Sequence, residues 1–191
     1  MYATYEKFGV YKRDLLKKRV IAARDEQKEA GEQFKDALAL MREMYGGTGS
    51  NLEKTYDKLK SEYDDSVSKA DAVRKRVRDM ETVAADLFKE WETEIQQISS
   101  ESLRSNSRNQ LRKTKAGYEE MHTSLKRAEQ SMEPVLTKFR DNVLYLKHNL
   151  NAQAISSLKG EAVSIENEIA KLIEDMNRSI QSADTFIKQM P

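Results

Sequence analysis

What most constrains this chain is an apolar repeat, in steps of three and four, that persists through most of its length. One stretch reads Leu52, Tyr56, Leu59, Tyr63, Val67, Ala70, Val73, Val77, Met80, Ala84, Leu87, Trp91, Ile95 and Ile98. A second reads Leu111, Thr114, Tyr118, Met121, Leu125, Ala128, Met132, Val135, Phe139, Asn142 and Leu146. A third reads Ile155, Leu158, Ala162, Ile165, Ile169, Leu172, Met176, Ile180, Ala183, Ile187 and Met190. This spacing gathers side chains onto one face of an α-helix. Sustained over several heptads, it describes coiled-coil-like packing. The N-terminal part repeats more weakly, through Phe8, Tyr11, Leu15, Ala22, Ala23, Ala30, Phe34, Ala37, Met41 and Met44. Its alanine-rich middle allows a neighbouring helix to approach closely. No segment alternates with period two for long enough to make a strand.

Interruptions are few, because the 191 residues include only 7 glycines and 2 prolines. Gly46, Gly47 and Gly49 free the backbone to end a helix. Ser50 and Asn51 then supply N-caps, Ser50 pairing with Glu53 in a capping box. Polar residues Ser99 to Ser102 and Asn149 to Asn151 mark two further turns, since serine and asparagine compete for backbone hydrogen bonds. The spacing therefore predicts helices at about 4–45, 51–98, 101–148 and 152–189. At 1.5 Å per residue these are rods of roughly 60–70 Å. Short connections favour antiparallel neighbours. The expected fold is all-α: one elongated, antiparallel up-down-up-down four-helix bundle with both termini at one pole. A long three-helix bundle with a separate hairpin is the alternative. Pro134 is expected to kink the third helix without breaking it. Gly117 and Gly160, each costing about 1 kcal/mol in a helix interior, are expected to mark close helix approach.

The residue inventory closes off much chemistry. Without cysteine there is no disulfide framework, thiolate zinc site or cysteine nucleophile. A di-iron bundle needs two Glu-x-x-His pairs. Glu119 and His122 make one, but His148, the only other histidine, follows Tyr145. His122 is expected at the rim of the bundle. No Gly-x-Ser-x-Gly elbow appears, and the glycine-rich loop lacks the lysine of a phosphate-binding loop. The expectation is a non-enzymatic chain with no catalytic residues, no metal and no cofactor. Lys+Arg 33 against Asp+Glu 32 argues against nucleic acid as a partner. No apolar run reaches the roughly 18 residues of a membrane span.

Local charge is more informative than net charge. No acid separates Glu101 from Glu119, while Arg104, Arg108, Arg112, Lys113 and Lys115 lie between them. Arg104, Arg108 and Arg112 share a helix face. Lys12, Arg13, Lys17, Lys18 and Arg19 form a second cluster. In an up-down-up-down bundle both clusters lie at the pole of the termini. They are either paired with acids such as Glu90, Glu92 and Glu94, or candidate contacts for an anionic membrane surface. Trp91 is expected in the core. Tyr2, Tyr5 and Tyr11 are expected to cover the end of the bundle, with a membrane interface as the alternative.

Two runs carry a family resemblance. The first is Glu6-Lys7-Phe8-Gly9-Val10-Tyr11-Lys12-Arg13-Asp14, followed by Arg19-Val20. The more specific one is Val143-Leu144-Tyr145-Leu146-Lys147-His148-Asn149-Leu150-Asn151-Ala152, with Ala154-Ile155 and Leu158-Lys159-Gly160-Glu161 after it. Together they resemble, over nearly the whole chain, the bacterial family called domain of unknown function twenty-nine fifty-nine. The resemblance implies an envelope protein of proteobacteria, periplasmic or associated with the outer membrane, made with a secretory signal that often ends in a lipid-modified cysteine. These residues contain neither feature, and Met1 directly before the family region suits a trimmed chain. The resemblance implies an address and no reaction.

Lys147, His148, Asn149 and Asn151 coincide with the more specific run. They are expected to cap helix ends, with contact to a protein partner at the distal pole as the alternative. The expected role is thus a structural or interaction module of the envelope, apposed to a membrane by its basic pole. Self-association through exposed stripes is also open. The alternative of another class is a ligand carrier or enzyme with its site in the interior near Ala22, Ala23 and Ala30.

Overall fold

The computed structural model describes residues 2–46 and 51–190, with the side chains of residues 2–10 and of Ala152 outside the description. Four helices account for nearly all of it: α1 (Tyr2–Gly46), α2 (Leu52–Gln97), α3 (Glu101–His148) and α4 (Ala152–Gln189). No strand occurs among the described residues. Each later helix begins on a side-chain cap. Asn51 Oδ1 accepts from the Lys54 amide at 3.0 Å, and Asn151 Oδ1 from the Ala154 amide at 2.8 Å. Ser100 Oγ accepts from the Leu103 amide at 3.5 Å. The predicted Ser50–Glu53 capping box and the loop Gly47–Ser50 lie outside the described residues.

Neighbours in sequence pack as neighbours in space, and α1 closes the ring against α4. Ion pairs set the directions. Lys12 meets Glu90 at 2.6 Å while Lys69 meets Glu29 at 2.6 Å, so α1 and α2 run antiparallel. Arg24–Asp184 and Arg42–Glu166, both 2.7 Å, do the same for α1 and α4. The fold is the expected up-down-up-down bundle. One pole holds the chain ends and the α2–α3 turn. The distal pole holds the α3–α4 turn.

The interior is two apolar clusters stacked along the axis. The distal one includes Phe34, Met41, Leu59, Val77, Met132, Phe139, Ile165 and Met176. The one at the terminal pole includes Leu16, Val20, Met80, Ile95, Met121, Leu125 and Phe186. Between them lies a polar layer. Gln27, wholly buried, donates from Nε2 to the Leu125 carbonyl at 3.1 Å. Its Oε1 accepts from the hydroxyl of Ser179, also wholly buried. These bonds tie α1 to α3 across the diagonal and to α4 alongside. Asn142 Nδ2 crosses the same diagonal near the distal end, donating to the Tyr45 hydroxyl at 3.0 Å.

Four readings of the sequence need correction. The α1 seam runs through Leu16 and Val20, not Leu15, and Tyr11 is 62% exposed. Tyr11 therefore does not cover the end of the bundle; the side chains of Tyr2 and Tyr5 lie outside the described residues. Late in α4 the seam takes Ser179 and Phe186 in place of Ile180 and Ile187, which are half-buried. Gly160 marks no close approach, because a Cβ added there meets nothing within 4 Å. Gly117 does: an added Cβ lies 3.4 Å from the Phe186 ring. The third helix continues through Pro134 on its exposed face, where water can replace the missing backbone bond.

Candidate functional site

At the pole of the termini, α2 ends at Gln97 and α3 begins at Glu101, so three residues turn the chain. Arg104 secures the turn. Its Nε donates to the Ile98 carbonyl at 2.9 Å, and its guanidinium meets Glu101 at 3.2 Å. Lys12 crosses to Glu90. Arg13 lies over the Trp91 ring, 5.9 Å from its centroid, and the indole N–H donates to Ser107 Oγ at 3.0 Å. Trp91 is therefore half-buried, packed against the core but hydrogen-bonded at its edge. Lys115 pairs with Glu92 and lies 5.6 Å from the Phe88 ring centroid.

Part of the basic cluster is thus neutralised, as pairing with the acids of α2 requires. Glu94 joins this environment without simple neutralisation. Burial raises its pKa above the ordinary carboxylate value, the Glu90 charge adds to the effect, and Lys12 and Arg13 oppose it.

The remaining cations are different. Arg108, Lys113, Lys17, Lys18 and Arg19 make no ion pair with any described residue. Arg112 holds only the neutral Asn109 side chain, at 3.0 Å. Arg108, Arg112, Lys113 and Lys18 are exposed. Arg19 is half-buried, its Nε sealed from solvent without a hydrogen-bond partner. Arg108 and Arg112 stand one turn apart on α3, while Arg104 has turned back to the α2–α3 connection. Tyr11 and Leu103, 62% and 61% exposed, add large apolar side chains to the same pole.

Arg108 and Arg112 also border a cleft of about 460 Å³ between α2 and α3. Its α3 side continues through Leu111 and Lys115, and Glu92, Ile95 and Gln96 form the α2 side. Ile95 and Leu111 are buried and make its apolar floor. Another cleft, of about 400 Å³, lies between α3 and α4 beside Met121, Ser124 and Arg178. Neither borders Ala22, Ala23 or Ala30. Ala23 and Ala30 are wholly buried, with Gln27 filling the space between them.

At the distal pole, Asn149 Nδ2 donates to the Tyr145 carbonyl at 2.9 Å and Asn151 caps α4, so both asparagines cap helix ends. Lys147 and His148 are exposed in the last turn of α3, where positive charge suits the helix dipole. Leu144, Tyr145 and Leu150 are exposed around them.

His122 sits at the rim. Its Nε2 lies 2.7 Å from Glu81 on α2, and its ring stacks on Tyr118 at 5.6 Å. Among the described residues no group of three or more His, Asp or Glu side chains is arranged to hold a metal. No helix is long and apolar enough to cross a membrane, among the residues described.

Sequence reasoning placed the cations at this pole but missed the cleft. Its floor residues were visible only as seam positions, and a gap between helices depends on side-chain volumes across two seams. No curated protein and no solved structure matches the chain. One family model does, over residues 1–190, with the description protein of unknown function (DUF2959). A match of that extent, on a chain whose two quoted runs fall in α1 and across the α3–α4 turn, means that the chain belongs to this family.

Proposed function

We propose that this protein is a non-enzymatic, rod-shaped interaction module of the bacterial envelope that rests on an anionic membrane surface by its terminal pole. The observation that carries the reading is the exposed set Arg108, Arg112 and Lys113, which no acid neutralises among the described residues. Tyr11 and Leu103 stand exposed at the same pole, and amphipathic rings and apolar side chains favour a membrane interface. A basic residue near such a surface contributes about 1 kcal/mol. Reversing three of them therefore removes at least ~3 kcal/mol, or more than a hundredfold in partition.

Sedimentation with anionic and zwitterionic vesicles tests this. The native chain is expected to pellet with anionic vesicles and to release as salt rises. Arg108→Glu/Arg112→Glu/Lys113→Glu is expected to stay in solution. Equal pelleting of that variant, or no binding by the native chain at low salt, refutes the reading. The filled interior around Ala23 and Ala30 supports a scaffold over a carrier with an internal ligand. The envelope address rests on the family resemblance, and fractionation of cells making the full-length precursor tests it.

A further inference from the structure

The basic pole contains a formed cleft as well as surface charge, and its two sides differ in chemistry. The α3 edge presents the Arg108 and Arg112 guanidiniums, free of acidic partners among the described residues. The floor is apolar, from Ile95 and Leu111. The α2 wall carries Glu92, whose carboxylate is matched by Lys115. Its volume of about 460 Å³ falls within the ~300–1,000 Å³ of small-molecule sites.

We infer that this cleft binds a single amphiphile, with its phosphate or carboxylate head on Arg108 and Arg112 and its alkyl tail over Ile95 and Leu111. Two guanidiniums one turn apart suit a multi-oxygen anion, because each planar fork can donate two parallel N–H bonds to it. Glu92 and Lys115 neutralise each other, so the unmatched positive charge lies at the Arg108–Arg112 edge and sets the direction of the ligand. Ile95 and Leu111, 2% and 6% exposed, show only a narrow apolar strip at the floor, which an alkyl tail covers and a free inorganic anion does not. The inference rests on the membrane-apposed pole proposed above, and adds a defined site to what surface charge alone supplies.

Dodecyl phosphate, titrated below its micelle concentration, is the probe. Binding is followed by calorimetry and by the fluorescence of Trp91, the sole tryptophan, which hydrogen-bonds Ser107 one turn before Leu111. Saturable binding is expected, with none for inorganic phosphate or for neutral dodecyl maltoside. Arg108→Gln/Arg112→Gln and Gln96→Phe, which places a ring in the mouth, are each expected to weaken it at least tenfold with unchanged helicity. All three positions are exposed, so the fold should tolerate these changes. Absent saturation, equal binding of either control, or unaltered affinity in both variants overturns the inference.

Vesicle sedimentation is run in parallel. Native chain that pellets with anionic vesicles yet ignores dodecyl phosphate leaves the basic-pole reading standing and removes the cleft. Failure in both removes both. Loss of vesicle binding in Gln96→Phe, alongside loss of dodecyl phosphate, identifies the ligand as a lipid of the bilayer; retention identifies a free amphiphile.

Discussion

Gln27 is the most informative single residue to change. It is wholly buried, and it satisfies itself through the Leu125 carbonyl and the Ser179 hydroxyl. Three substitutions separate what it contributes. Gln27→Ala removes the four heavy atoms beyond Cβ, leaving a void between the two apolar clusters. Truncations of this kind cost about 2–5 kcal/mol in well-packed cores. Ser179→Ala deletes only a hydroxyl but strands the Gln27 carbonyl oxygen, at a cost of about 1–3 kcal/mol. Gln27→Leu conserves most of the volume and strands nothing. The Leu125 carbonyl keeps its place in the helix, and the Ser179 hydroxyl can turn to the carbonyl four residues back, as Ser66 and Thr114 already do at 2.7 and 3.0 Å. Removing both sides of a buried polar contact in this way is close to neutral. For a chain of this size 1 kcal/mol moves Tm by about 2–4 °C. Gln27→Ala is therefore expected to melt ~4–20 °C lower, Ser179→Ala ~2–12 °C lower, and Gln27→Leu within about 3 °C of the native chain. Thermal and urea denaturation followed by circular dichroism measure all three. If Gln27→Leu falls as far as Gln27→Ala, the layer contributes stability in its own right and the reasoning fails.

Three further outcomes follow from the same packing. Gly160→Ala is expected to raise Tm by a few degrees, since an added methyl meets open space and the helix gains about 0.5–1 kcal/mol; an unchanged or lower Tm contradicts the open geometry. Asn151→Ala is expected to lose about 1 kcal/mol with the cap to Ala154, and His148→Ala none; urea titration of both reports whether the distal turn is built by its asparagines. Glu94 has a folded-state pKa above its unfolded value, so its protonated form is favoured on folding and that stabilisation is lost as pH rises through the folded pKa. Glu94→Gln is expected to be more stable than the native chain at pH 7, with the gap closing as pH falls below the unfolded carboxylate value; a gap that is constant with pH assigns the effect to something other than ionisation.

The helices were legible in the sequence because three of the four seams are almost unbroken, and their ends because asparagine and serine stand where the chain turns. In α3 every seam position read from the spacing, from Leu111 to Leu146, is buried. The two misplaced seam segments each have a regular true register. The true α1 seam runs 16, 20, 23, 27, 30, 34, and the true α4 seam 172, 176, 179, 183, 186, both in regular steps of three and four. Each is interrupted by a polar residue, Gln27 in one and Ser179 in the other. An apolar search skips Gln27 and slides from Ser179 to Ile180, and from there Ile187 competes with Phe186; at the start of α1, Leu15 and Leu16 are both apolar and only the packed register separates them. The two interruptions answer each other across the core, a fact that needs both helices in register. The same limit hid the cleft: the cations of α3 could be read directly, while their freedom from Glu92 and Glu90 depends on which basic side chains those acids reach first.

The arrangement of polar groups also explains why any function is expected at the ends of this rod. Along its length, buried polar side chains are satisfied by one another: Gln27 by Ser179 and Leu125, Asn142 by Tyr45, and Asp175 by Arg127 at 2.9 Å and Ser131 at 2.6 Å. The helix flanks are laced by pairs such as Arg74–Glu133, Lys69–Glu29 and Arg24–Asp184. Such groups have little left to offer a ligand, because engaging one first requires breaking an existing bond. Arg108, Arg112 and Lys113 at one pole, and Lys147, Leu144 and Tyr145 at the other, carry no such obligation to an acid or a core among the described residues. The 31 to 39 helical residues between them along α3 hold these two sets roughly 50–60 Å apart. A bundle with a saturated body and two chemically distinct ends can engage one surface while presenting the other end beyond its reach. Shortening the rod by matched seven-residue deletions in all four helices preserves each seam and both poles. Such a variant is expected to keep its vesicle binding while bringing the distal tip ~10 Å closer to the bilayer, as energy transfer from a dye at Lys147→Cys to a labelled lipid reads out. Transfer that does not change with rod length places the protein flat on the membrane and rules out the upright spacer.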